Sequence, residues 1–168
     1  RLAFDELLLL QLGVMLKRRH RRQTLHAPAL KHNDAIDAHI VARFPFELTD
    51  AQRAVIDEIA GDLTDTTPMN RLLQGDVGAG KTLVAFMSLL IAVEAGGQGV
   101  MMAPTEILAR QHLASLAPLA ASAKVVVELL TGRDKGKERA AKLAALAAGD
   151  IQVLVGTHAV FQDDVTFA

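Results

Sequence analysis

Gly75-Asp76-Val77-Gly78-Ala79-Gly80-Lys81-Thr82 fits the pattern G-x-x-x-x-G-K-[ST], with the apolar pair Leu72-Leu73 before it and the helix-like run Leu83 to Ala95 behind it. The order predicted is strand, glycine loop, helix. Gly75, Gly78 and Gly80 let the backbone take positive φ and approach a ligand closely, so that successive N–H groups curl around phosphate oxygens at a helix N-terminus. Lys81 is placed to reach the β- and γ-phosphates of a nucleotide. Thr82 is placed to offer its hydroxyl to a Mg²⁺ ion that takes few protein ligands. A glycine turn that merely caps a helix is the plainer alternative, but the full pattern in its strand-to-helix context favours nucleotide phosphate.

Working outward, strand and helix alternate to the end of the chain. Strands are expected at Arg71 to Gln74, Gly99 to Ala103, Lys124 to Leu130 and Ile151 to Val155, with helices at Glu106 to about Ala117 and Lys135 to Ala148 between them. Four strands separated by helices argue for an α/β fold with a parallel sheet covered on both faces. In open sheets of this kind ligands bind at the C-terminal ends of the strands. Upstream, Thr49 with Gln52 makes a capping box ahead of the apolar stripe Val55, Ile56, Ile59, Ala60 and Leu63. The amide of Gln52 therefore reads either as a cap or as a reader of the adenine edge.

The N-terminal part differs in character. Residues 2 to 22 read as a long helix with apolar residues on more than one face, ended by Lys17-Arg18-Arg19-His20-Arg21-Arg22. The apolar girth implies that it packs against something. The cation run complements a helix C-terminus and aids solubility, and a DNA phosphate contact is the sharper alternative. Residues 26 to 43 read as a linker around Pro28, with a short helix at Asn33 to Val41. His26, His32 and His39 there read as surface residues rather than metal ligands, having neither cysteines nor tight helical spacing beside them.

Composition narrows the classes. The 168 residues suffice for one domain and an appendage, and 51% hydrophobic content can fill its core. Cysteine is absent, which removes disulfides, thiolate zinc sites and thiol catalysis. No apolar run reaches the roughly 20 residues of a membrane span, and no secretory leader opens the chain, so a soluble, cytoplasmic protein with no membrane partner is expected. The net charge of −1 hides an excess of cations in residues 1 to 43, eight Lys and Arg against four Asp and Glu. With six Phe and no Trp or Tyr, stacking of single-stranded bases is not the expected mode of nucleic-acid contact.

Further loops follow the expected strands. Ala103-Pro104-Thr105-Glu106-Ile107-Leu108-Ala109-Arg110-Gln111-His112 combines a helix start with an anion-accepting N-terminus, Thr131-Gly132-Arg133-Asp134-Lys135-Gly136 follows the next strand, and Gly156-Thr157-His158 the last. Singly, each is a loop of turn residues. Together they line one rim with Thr, Gly and basic groups suited to tracking a sugar-phosphate backbone.

In this order the motifs resemble those of the superfamily 2 nucleic-acid translocases, and among them the bacterial branched-DNA helicases; the transcription-repair coupling motors are the nearest rival. The resemblance covers essentially the whole chain. It implies a RecA-like lobe from residue 44 onward, behind a connecting helix and linker over residues 1 to 43. It implies ATP and Mg²⁺ as cofactors, with Gly75 to Thr82 and Gln52 on the nucleotide and Phe44 or Phe46 beside the base. Lys81 and Thr82 would be catalytic, with Thr82 on the metal. Thr105, Arg110, Thr131, Gly132, Thr157 and His158 would touch DNA. The implied partners are branched DNA such as replication forks and Holliday junctions, a wedge domain and a second motor lobe. The implied D-E-x-H box does not occur before Ala168, and Asp163-Asp164 do not follow a hydrophobic strand. The expectation is thus a truncated lobe from a monomeric parent. It would bind nucleotide without turnover by itself and tend to self-associate; a nucleotide- or DNA-docking module that never hydrolyses ATP is the remaining alternative.

Overall fold

The computed structural model describes residues 2–31 and 34–168; Arg1, His32 and Asn33 lie outside it, so the expectations that fall on His32 and Asn33 are not addressed. Six α-helices and three strands are described: α1 Leu2–Thr24, α2 Asp34–Val41, α3 Asp50–Leu63, α4 Lys81–Glu94, β1 Gly99–Met102, α5 Glu106–Ala123, β2 Val127–Leu130, α6 Gly136–Ala147 and β3 Val153–Gly156, with a short 3₁₀ turn at His158–Phe161.

The strands form a parallel sheet in the order β1-β3-β2. Every residue of the central β3 is buried. Alternation along it sends Val153 and Val155 to one face, against α3, α4 and α5, and Leu154 to the other, against Leu130, Leu146 and Val160. The expected two-sided burial is therefore present. Phe86, Leu90 and Leu116 are fully buried in the larger cluster and Leu146 and Leu154 lie in the smaller, which is why the helices flanking the strands cannot drift from the sheet.

Three expectations need correction. Residues 71–74 form no strand. Arg71 instead turns toward α3, pairing with Asp62 and, at 2.6 Å, with Glu58; Leu73 reaches the core while Leu72 is 84% exposed. A strand exists only through its ladder, and among the described residues these make no strand pairing. Second, α5 runs on past Pro118 to Ala123. The proline removes one ladder bond, but buried Leu116, Ala120 and Ala123 hold the last turns. Third, the apolar side chains of α1 from Phe4 to Leu16 are exposed, so the packing expected of that helix is not found among the described residues.

The linker does dock. Ile40 enters the main core, continuous with Phe44 and Leu48 at the start of the lobe. Arg43 donates to the carbonyl of Ala123 at 3.1 Å and pairs with Glu94 at 2.7 Å, tying together the C-terminal ends of α4 and α5.

Candidate functional site: a phosphate loop and a strand-end rim

The capping box forms as the spacing predicts. Thr49 Oγ1 accepts from the Gln52 N–H at 3.2 Å, and Gln52 Oε1 accepts from the Thr49 N–H at 3.0 Å. The other end of the same amide donates to the Ala79 carbonyl at 3.1 Å. Gln52 is therefore a cap, the first of the two readings offered by the sequence, and in addition a tether on the glycine loop.

Gly78 and Gly80 take φ of 86° and 80°, the left-handed region that favours glycine. Gly80 is the N-cap of α4 and brings no side-chain bond to the helix start, so the first N–H groups of α4 face outward with the positive end of the helix dipole. Lys81 Nζ folds back over the loop and donates to the carbonyls of Gly75 at 2.7 Å and Asp76 at 2.8 Å. Thr82 is half-buried in the first turn of α4. The ring of Phe46 stacks on Phe44 at 5.6 Å between centroids; Phe44 is buried and Phe46 remains 39% exposed, the better placed of the two to meet a ligand. This donor set fits a nucleoside triphosphate: a cradle of N–H groups, one cation, a hydroxyl in the first helical turn and an exposed aromatic edge.

The three strand-end loops come together because the sheet is parallel and in register. Met102, Gly156 and Leu130 pair abreast, so the loops that begin at Ala103, Thr157 and Thr131 leave the same end of the sheet side by side. The short connection between Glu94 and Gly99 turns α4 back along β1, which sets the phosphate loop toward that same end.

Within the rim the residues play unequal parts. Thr105 caps α5, its Oγ1 accepting from the Leu108 N–H at 3.3 Å. Arg110 and Gly132 are exposed, as is His158. Thr131 and Thr157 are only 1% and 6% exposed, so both lie behind the surface of the rim rather than on it. Sequence reasoning placed Glu106 and Arg133 within the rim loops but singled out neither as a site residue. Glu106 pairs with Arg110 at 2.9 Å and with Arg133 at 3.0 Å, bridging the loops after β1 and β2 through one carboxylate. Their signal was charge in a strand-end loop, which by itself does not distinguish a bridge from a solvated residue. Among the described residues no three His, Asp or Glu side chains gather to hold a metal. Asp164 is held by Arg139 at 2.8 Å, which keeps its carboxyl below its ordinary value.

The phosphate loop opens α4, is tethered by an upstream glutamine, and lies beside a rim of strand-end loops, a set of features that matches one helicase family. The sequence profile described as DEAD/DEAH box helicase matches residues 49–167, and the chain belongs to that family. Within it, the similarity is to the ATP-dependent DNA helicase RecG. The chain is 46% identical over 167 residues to RecG of Escherichia coli O127:H6, and 45% identical over 167 residues to RecG of Bacillus subtilis, covering 99% of this chain in both cases. A solved structure of RecG bound to a three-way DNA junction superimposes with a TM-score of 0.87 at 39% identity, covering 98% of this chain and 22% of that one. The chain spans about a quarter, 24%, of the two curated relatives, and is similar to the N-terminal part of the RecG motor.

Proposed function

We propose that this chain is the nucleotide-binding lobe of an ATP-driven motor that remodels branched DNA, such as replication forks and Holliday junctions, in repair and recombination. One observation carries the reading: the phosphate loop and the three strand-end loops lie at the same end of one parallel sheet, so a change at the nucleotide has a short path to a DNA backbone. Gly75, Asp76, Val77, Gly78, Ala79 and Gly80 cradle the phosphates, Lys81 releases its two loop carbonyls to take them, and Thr82 supplies a hydroxyl to Mg²⁺. Gln52 reads the base while holding Ala79, and Phe46 flanks it.

Thr105, Arg110, Gly132 and His158 follow the sugar-phosphate chain, with Thr131 and Thr157 buried behind them in support of their loops. The RecG names of the relatives favour branched DNA over a transcription-coupled substrate. Hydrolysis and strand separation call for a metal-binding carboxylate box, a second motor lobe and a DNA wedge as partners in the cytoplasm.

The test is Lys81→Ala in the full-length protein. ATP-driven unwinding of a synthetic fork is expected to disappear while the fork is still bound. Unwinding at the wild-type rate would remove the proposal.

A further inference from the structure

The loop after β2 is built from within by a pair of charges, Asp134 in the loop and Lys142 on α6. Asp134 accepts through Oδ2 from the Thr131 N–H at 2.7 Å and from the Thr131 hydroxyl at 3.2 Å. The same hydroxyl accepts from the Arg133 N–H at 3.3 Å. Through Oδ1, Asp134 takes the ammonium of Lys142 at 2.6 Å, and Lys142 also donates to the Leu129 carbonyl at 3.0 Å. Glu138 stands 3.5 Å from the same ammonium. One lysine on α6 thus ties the last residues of β2 to the loop that follows.

The side chain of Asp134 is 9% exposed and that of Lys142 22%. A half-buried ion pair is poor evidence for stability, since an apolar pair of similar volume often does as well; what it fixes is geometry. Here the geometry is specific. Thr131 is turned inward and saturated, which leaves Gly132 and Arg133 exposed at the tip, Arg133 reaching Glu106 on the neighbouring loop at 3.0 Å.

We propose that Asp134 and Lys142 are positioning residues for DNA contact: they set the Thr131–Arg133 loop so that Gly132 and Arg133 present to a phosphate at a fixed distance from the α5 N-terminus. Neither touches DNA itself. The inference rests on the DNA-rim reading given above and deepens it, by naming what holds one third of the rim in shape.

The measurement is binding of the full-length protein to a short three-way junction DNA across a salt series, with nucleotide affinity measured in parallel. Lys142→Met keeps the stem and removes the charge. It is expected to weaken junction binding about tenfold, the scale of coupling between residues in one network. The log-log salt slope should fall by roughly 0.7–0.9, one phosphate contact, with nucleotide affinity unchanged. Adding Arg133→Ala to Lys142→Met should cost nothing further, because both changes remove the same contact.

A wild-type affinity and slope for Lys142→Met, with Arg133→Ala impaired, would overturn the positioning role and leave the rim reading standing. Wild-type behaviour of both Arg133→Ala and Arg110→Ala would overturn the rim reading itself. If Lys142→Met unfolds, Asp134→Asn, which keeps the shape and removes the charge, carries the same comparison with the same outcomes.

Discussion

At Gly80 the backbone sits at φ 80°, and a β-carbon there would overlap the Gln52 amide nitrogen that bonds the Ala79 carbonyl. Gly80→Ala therefore combines left-handed strain of about 1–2 kcal/mol with loss of the tether. Titration with a fluorescent ATP analogue is expected to show at least about tenfold weaker binding, the equivalent of 1.4 kcal/mol. Gln52→Ala removes both the cap and the tether. It should lower the melting temperature by the effect of a lost cap, about 1 kcal/mol, and weaken nucleotide as well. A loss of stability with unchanged nucleotide affinity would reduce Gln52 to a cap. At Gly156 the constraint is packing: a β-carbon would run into the Leu130 carbonyl and Val160. Gly156→Ala should destabilise by about 1–3 kcal/mol, read as a fall in melting temperature of about 2–4 °C per kcal/mol. The glycine spacing in Gly75–Thr82 was legible because left-handed φ leaves a mark on sequence. Gly156 left none, since its cause is an atom 26 residues away in the chain, at Leu130.

Among the elements, those whose burial is periodic were readable and those that depend on a neighbour were not. α3 announced itself through Thr49, Gln52 and its apolar stripe, and α4 through the loop that opens it. The run 71–74 looked like a strand because Leu72-Leu73 is apolar, yet strand character belongs to a ladder, and Arg71 is drawn to α3. The docking of the linker was likewise invisible. Arg43 reads as a basic residue before an aromatic pair, and its partners Glu94 and Ala123 lie 51 and 80 positions on. Arg43→Ala removes a part-buried charged hydrogen bond to a helix end as well as an ion pair. It should cost about 1.5–3 kcal/mol, measured by urea denaturation, whereas Arg133→Ala at the exposed rim should leave stability within about 0.5 kcal/mol.

For the molecule as a whole, charge and exposure set how it behaves. Burial is the largest influence on Asp134 and pushes its carboxyl up, but the hydrogen bonds from Lys142 and Thr131, with the Lys142 charge, together hold it below its ordinary value of 3.8. A depressed carboxyl contributes stability that is present above that value and lost as pH falls through the folded one. Acid melting curves should therefore steepen below about pH 4, and Asp134→Asn should flatten them. Phe4, Leu7, Leu9, Leu10 and Leu16 on α1 are all more than 60% exposed, an apolar stretch set ahead of the cation run Lys17 to Arg22 at the other end of the helix. In sedimentation the isolated chain is expected to run larger than a monomer, and removal of residues 1–24 to restore one. No helix among the described residues is long and apolar enough to cross a membrane.

The proposed function requires coupling between nucleotide at the Gly75–Thr82 loop and DNA at the rim that carries Thr105 and Gly132. The most direct measurement of it is ATP hydrolysis by the full-length protein with and without three-way junction DNA. Stimulation of about tenfold or more by the junction, abolished in Lys81→Ala, is the predicted result. A hydrolysis rate indifferent to DNA would contradict the account.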